Sequence, residues 1–201
     1  MCSYIQAVET KTKFIILMHP KEFKKVKNGT GHLTHLSLKN SELYVGVDFT
    51  NHKIINEIIS TYQSYLLYPS ADAINISKQG LNLDTTSHLK KERAIFIIDS
   101  TWSCSLKILR DSKNLHSLDH ISFDSIKLSQ FKIKEQPNDY CLSTIESTLS
   151  VLEGLNKWKI ENLNDDELDG FLNPFHEMIA YQTGCIENPL SNAVRYRHKK
   201  R

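Results

Sequence analysis

Short apolar runs alternate along this chain with stretches of helical periodicity. Residues 14–18 read Phe-Ile-Ile-Leu-Met and are closed by His19-Pro20. Five consecutive apolar positions are too few for a helix and are apolar on both faces, as a strand inside a sheet must be. Residues 93–99 repeat the pattern around Ala-Ile-Phe-Ile-Ile, which predicts the middle of a parallel sheet. Residues 43–49, 64–68 and 120–123 predict three further strands, the second of these stopped by Pro69. Between them, 51–63 places Ile54, Ile55, Ile58, Ile59 and Tyr62 on one helical stripe, with Thr50 or Asn51 as its cap. Ser143-Thr144-Ile145-Glu146 is a capping box, and Ile145, Leu149, Leu152 and Leu155 continue the apolar face behind it. Residues 165–183 predict a last helix, weakened by Gly170 and bent or split by Pro174. Strands alternating with helices predict an α/β fold, a mainly parallel sheet flanked by helices. With no repeat, low-complexity tract or Pro/Gly/Ser linker, residues 1–201 read as a single domain.

Composition narrows this further. The 201 residues are 40% hydrophobic with seven Gly and five Pro, which excludes a disordered or fibrous chain. No run approaches the roughly 18 apolar residues of a membrane span, and no secretory pattern opens the sequence, so a cytoplasmic protein is expected. Cys2, Cys104, Cys141 and Cys185 are scattered without a Cys-x-x-Cys pair and read as reduced thiols. There is no His-Glu-x-x-His motif, and no metal is expected.

The net charge of +2 conceals an uneven distribution. Arg195, Arg197, Lys199, Lys200 and Arg201 crowd the last seven residues, so the rest of the chain is net acidic. Lys21, Lys24, Lys25 and Lys27 form a second cluster offset only by Glu22. Such clusters suit a polyanion such as RNA, because each neutralised phosphate releases counterions. They suit a solvated loop and a frayed tail equally well.

Ligands of open α/β sheets bind beyond the carboxyl ends of the strands. The 93–99 strand ends in Asp99-Ser100-Thr101-Trp102: a carboxylate, two hydroxyls and a large aromatic. These residues could bind a ligand, or Ser100 or Thr101 could cap the next helix while Trp102 packs. Leu67-Tyr68-Pro69-Ser70 ends another strand. His19-Pro20-Lys21-Glu22 ends a third and leads to Gly29-Thr30-Gly31, which reads as a turn before a helix rather than a nucleotide loop. His19 and His35 read as ordinary polar residues, and no Ser-His-Asp triad can be assembled.

In this order the segments resemble the DTW-domain family of tRNA-uridine aminocarboxypropyltransferases. Residues 14–22 with Gly29-Thr30-Gly31 are similar to its first block and Leu67-Tyr68-Pro69-Ser70 to its second. Asp99-Ser100-Thr101-Trp102 is similar to its Asp-x-Thr-Trp signature. Residues 129–137 and Leu142-Ser143-Thr144-Ile145-Glu146 resemble its last two blocks, with Lys134 where the family has arginine. That change keeps a cation and loses the bidentate fork. Relatives often carry a cysteine-rich, zinc-type segment ahead of the first strand, of which at most Cys2 remains here.

The resemblance implies a SPOUT-like fold with a C-terminal trefoil knot whose loops hold S-adenosylmethionine. The implied reaction moves the 3-amino-3-carboxypropyl group to N3 of a tRNA uridine and leaves 5′-methylthioadenosine. Asp99 is then the candidate base. Leu67, Tyr68 and Pro69 would line the adenosine side, and Trp102 would wall the pocket or stack on a ring. The helix start at Ser143-Thr144, with Lys134, would take the donor's carboxylate. Ser100, Thr101, Ser129 and Leu142 complete the expected cofactor contacts, and the two lysine and arginine clusters the RNA contacts. A methyltransferase on the same fold and a catalytically silent RNA-binding module are the competing readings.

Overall fold

The computed structural model describes residues 2–25, 29–81, 92–124, 128–131 and 141–187. Six strands form one sheet in which every pairing is parallel: β1 (Lys13–Met18), β2 (Ser41–Val45), β3 (Gln63–Leu67), β4 (Ile74–Asn75), β5 (Arg93–Asp99) and β6 (Asp119–Ser122). Their order across the sheet is β2-β1-β5-β3-β6-β4. The helices are α1 (Pro20–Lys25), α2 (Thr30–Leu36), α3 (Lys53–Thr61), α4 (Trp102–Asp111), α5 (Thr144–Lys157), α6 (Asp165–Gly170) and α7 (Asn173–Glu187).

The two runs that are apolar on both faces lie side by side in the middle, and Phe14, Ile15, Ile16, Leu17 and Met18 are wholly buried. Alternate residues feed two cores. Phe14, Ile95 and Ile97 face Leu33 of α2, Ile145, Leu149 and Leu152 of α5, and Phe175 and Met178 of α7. Ile15, Leu17 and Phe96 face Ile55 and Ile58 of α3 and Ile108 of α4. Each such aliphatic side chain contributes about 1.5–3 kcal/mol on full burial, so sandwiching the central strands is the main stabilising term.

Several boundaries differ from the sequence reading. The strand expected at 43–49 is Ser41–Val45, in register with Phe14 to Met18; the chain then leaves the sheet and Phe49 turns into the core. The cap of α3 is His52, whose Nδ1 accepts the Ile55 N–H at 3.4 Å. Thr50 cannot serve, because its hydroxyl donates to the Asp111 carbonyl and accepts from the Lys113 N–H. Pro174 splits the last helix in two, at the first turn of α7, where its missing N–H costs nothing. β4 is two residues long and has no periodicity to read. Cys104, Cys141 and Cys185 are free thiols. The expected C-terminal trefoil knot is not traced by the described residues, which leave out 82–91, 132–140 and 188–201. Among the described residues no helix is long and apolar enough to cross a membrane.

Candidate active site

The strand order sets where a ligand can enter. β5 lies between β1 and β3, yet the connection leaving β1 returns to β2 on one side and that leaving β5 returns to β6 on the other. Divergent connections open a crevice above the carboxyl ends of β1 and β5. Met18 and Asp99 pair at that edge.

Asp99 is 6% exposed. It shares strand parity with Ile95 and Ile97, so its carboxylate turns to the side of α2 and α5. There Thr144 Oγ1 donates to Asp99 Oδ1 at 2.5 Å. A Cβ built on Gly31 would stand 2.4 Å from both Cγ and Oδ2 of Asp99, so the carboxylate rests directly on the first turn of α2. The Gly-Thr-Gly turn thus has a spatial purpose that its composition did not show.

The start of α5 is held by Glu146, which is 5% exposed. Its Oε2 accepts from Ser143 N (2.8 Å), Ser143 Oγ (2.5 Å) and Ser129 Oγ (3.0 Å), and its Oε1 from Gln130 N (2.7 Å). A charged acceptor with four donors is well compensated for burial. The carboxylate clamps the 128–131 segment onto the turn that presents Thr144. Phe131 secures the same segment, edge-on to Phe175 with centroids 5.5 Å apart. Leu142, half-buried, lines a small open cleft beside this clamp with Leu128, Gln130, Leu149 and Leu172. Glu146 was legible only as the last residue of a capping box; its bonds to Ser129 and Gln130 span 17 and 16 residues, which no local pattern encodes.

The other expected residues divide. Leu67 and Tyr68 are half-buried at the end of β3, and Pro69 is exposed. Tyr68 meets the His120 ring edge-on at 5.8 Å, and His120 Nδ1 lies 2.9 Å from Ser70 Oγ. Ser100 Oγ donates to the Thr101 carbonyl at 3.1 Å. Thr101 occupies the N-cap position of α4 but makes no side-chain cap bond. Trp102 opens α4 at 47% exposure; it does not pack into the core. Lys21 and Lys24 are exposed on α1. The Lys25 side chain, Lys27, Lys134, Arg195, Arg197, Lys199, Lys200 and Arg201 lie outside the described residues. His19, expected to be unremarkable, is 6% exposed at the end of β1, and its main-chain N–H donates to the Asp99 carbonyl at 3.0 Å. Among the described residues no three His, Cys, Asp or Glu side chains converge on a metal-sized site. His116 and His120 stand four apart, but one is in a 3-10 turn and the other in β6.

The donor groups present suit a ligand with a carboxylate arm and a positive centre. Ser143 N–H is committed to Glu146, whereas the first-turn amides of Thr144 and Ile145 have no intrahelical partner and engage no described group. They lie at the start of a 14-residue helix, the end at which the macrodipole favours an anion. The buried Asp99 carboxylate supplies the complementary negative charge nearby.

A parallel α/β sheet with a buried carboxylate at its switch point, braced by the start of a long helix, defines a ligand-binding class of site. The chain belongs to the DTW-domain family: the DTW domain matches residues 1–183. It is similar to the tRNA-uridine aminocarboxypropyltransferase 2 of Drosophila melanogaster, 28% identical over 187 residues, covering 88% of this chain and 68% of that protein. Proteins of the same name from Macaca fascicularis and Mus musculus are 25% and 24% identical, covering 90% of this chain and 59% of theirs. This chain therefore spans about three fifths to two thirds of the length of these relatives. No solved structure matches it.

Proposed function

We propose that this chain is a tRNA-uridine aminocarboxypropyltransferase, moving the 3-amino-3-carboxypropyl group of S-adenosylmethionine to N3 of a tRNA uridine with release of 5′-methylthioadenosine. Family membership and the names of the relatives support the reaction. The observation that carries it to particular residues is the 2.5 Å bond between Thr144 and Asp99, which joins two motif blocks at one strand edge.

S-adenosylmethionine supplies, when bound, an electrophilic carbon on a sulfonium leaving group. The protein has to hold uridine N3 in line with that carbon and take the N3 proton. Asp99 accepts the proton, and Thr144 fixes the carboxylate in the orientation that receives it. The amides of Thr144 and Ile145 receive the donor's carboxylate, assisted by Lys134. Leu67, Tyr68 and Pro69 border the adenosine, with Ser100, Thr101, Ser129, Leu142 and Ser143 completing the wall. Trp102, left in solvent, stacks on an incoming base. N3 is paired in a duplex, so the target is an unpaired or extruded nucleotide. The exposed Lys21 and Lys24 on α1, and the basic clusters beyond the described residues, bind its phosphates. The fold completes a SPOUT-like knot around the donor, and the protein works in the cytoplasm.

Mass spectrometry of nucleosides from tRNA incubated with the purified chain and S-adenosylmethionine tests this reading. Aminocarboxypropyluridine and methylthioadenosine are the expected products. S-adenosylhomocysteine with a methylated base would make the chain a methyltransferase, and tRNA binding with no product would make it a binding module. D99N and D99A are expected to bind tRNA and to form no product.

A further inference from the structure

α4 buries Ser105 and Ile108 against the sheet and leaves Trp102, Ser103, Leu106, Lys107 and Arg110 exposed. At about 100° per residue these five fall within roughly 140° of the helix circumference, so they form one outer stripe. A single exposed apolar side chain carries no meaning. Here Trp102 and Leu106, the latter 57% exposed, stand one turn apart on the same stripe, which begins three residues after Asp99. Lys107 and Arg110 flank them. Both cations lean on Asp111, at 3.8 Å from Lys107 Nζ and 2.8 Å from Arg110 Nε. Exposed pairs of this kind hold weakly and give way to a stronger anion.

The charge on the two faces of the sheet decides what approaches. On the face covered by α2 and α5, the helices α6 and α7 carry Asp165, Asp166, Glu167, Asp169, Glu177 and Glu187 with no lysine or arginine. A polyanion is repelled there. On the other face α3 and α4 hold Lys53, Lys107 and Arg110 against Glu57 and Asp111. The cations of α1 join this side at the end of β1. Burial, then Lys21 and, against the pull of Glu22, Lys107 hold the His19 ring below the ordinary histidine range, so a lysine of α1 and a lysine of α4 act on one imidazole.

Resting on the uridine transfer proposed above, we infer that the outer stripe of α4 is the track for the RNA strand beside the target uridine. Lys107 and Arg110 bind its phosphates, and Leu106 packs against the nucleotide next to the one on Trp102. From Trp102 to Arg110 the helix rises about 12 Å, room for more than one nucleotide. Apolar side chains under the bases with cations alongside are how single strands are held without regard to sequence. An unpaired strand is also what access to N3 requires. The guanidinium of Arg110 offers a planar fork that matches a phosphate, and it exchanges Asp111 for one.

The test measures tRNA affinity over a range of salt concentrations, and transfer kinetics, in wild type, K107Q/R110Q, L106E, D111N and D166N/D169N, with thermal unfolding to confirm folding. K107Q/R110Q is expected to lower affinity about tenfold and to flatten the salt slope by about 1.4, some 0.7 for each single-strand phosphate released. Its kcat at saturating tRNA should stay within about twofold, which puts the loss in KM. L106E, an acid in the middle of the stripe, should cost about tenfold or more in affinity. D111N frees both cations and is expected to raise affinity about two- to fivefold, while D166N/D169N stays within about twofold of wild type. Wild-type affinity and salt slope in K107Q/R110Q overturn the proposal. So does a D111N variant that loses stability without gaining affinity, which would mark its ion pairs as structural, or an equal gain in D166N/D169N, which would trace the effect to overall charge. If wild type forms aminocarboxypropyluridine while K107Q/R110Q binds tRNA normally, the track alone falls. If wild type forms none, the transfer reading falls, and the place of this track beside a target uridine with it.

Discussion

Thr144 Oγ1 and Asp99 Oδ1 lie 2.5 Å apart although 45 residues separate them in sequence. The bond ties the end of the central strand to the start of α5, and it limits which way the carboxylate can face. T144V keeps the shape of the side chain and removes the hydroxyl. A hydrogen bond to a charged group is worth about 1.5–3 kcal/mol, so T144V is expected to lower the transfer rate about 10–100-fold. T144S should stay near wild type. Methylthioadenosine release under single-turnover conditions measures both; equal rates in T144V and wild type would detach this bond from the chemistry.

Gly31 bears on the same carboxylate. None of the described glycines has a positive φ, so the requirement here is for space. A Cβ at 2.4 Å from Asp99 Cγ must push the carboxylate or the α2 turn aside. G31A is expected to cost about 1–3 kcal/mol as an overpacked site, lowering the thermal midpoint by about 2–10 °C. Transfer activity should fall even at temperatures where the variant remains folded. Calorimetry paired with nucleoside analysis separates the two effects.

Removing the Glu146 side chain leaves two hydroxyls and two main-chain N–H groups without their acceptor. E146A should therefore destabilise the chain by about 3 kcal/mol or more, among the larger effects for a single substitution. E146Q keeps the volume but turns an amide donor towards donors, and an intermediate loss is expected. Urea unfolding reads both. Hydrogen exchange at the Gln130 amide should accelerate before global unfolding in each, and unchanged protection there would show that the clamp does not hold the 128–131 segment.

Two histidines make stability depend on pH. Burial, then Lys21 and Lys107, hold His19 below its ordinary value, with Glu22 opposing; burial and His32 do the same for His35, with Glu42 opposing. In the unfolded chain both take up protons near pH 6.5 while the folded chain still resists them. Their contribution is complete above about pH 6.5 and is lost as the pH falls through the interval down to the folded values. Denaturant unfolding at pH 7.5 and pH 5.5 should show lower stability at the acid end, with a smaller difference in H19Q. An unchanged difference would place the effect elsewhere.

Burial patterns made the centre of the sheet legible. The 93–99 run matches β5 residue for residue, because a strand covered on both faces must be continuously apolar. Edges were harder: β2 sits at the margin of the sheet, where half-exposed residues carry little pattern, and β4 is too short to have one. The α3 cap was misplaced because Thr50 is drawn off by Asp111 and Lys113, more than 60 residues away. At the site, Asp99 was legible as a carboxylate at a strand end. Thr144 was given a role by the resemblance, whereas Glu146 and His19 lay inside its motif blocks without one, and their surroundings come from the fold. For both of these the deciding feature is a contact or burial that depends on how distant segments meet.

The solvent-facing Trp102 has a practical corollary. The chain contains two tryptophans, and the other, Trp158, is engaged by its indole N–H on the Ile76 carbonyl at 2.8 Å and by Lys157 over its ring. Both indoles reach solvent, Trp102 at 47% exposure and Trp158 at 39%, so a W158F variant leaves Trp102 as a native optical reporter beside the Asp99 edge. Nucleic acid arriving there would be visible in real time, without any dye.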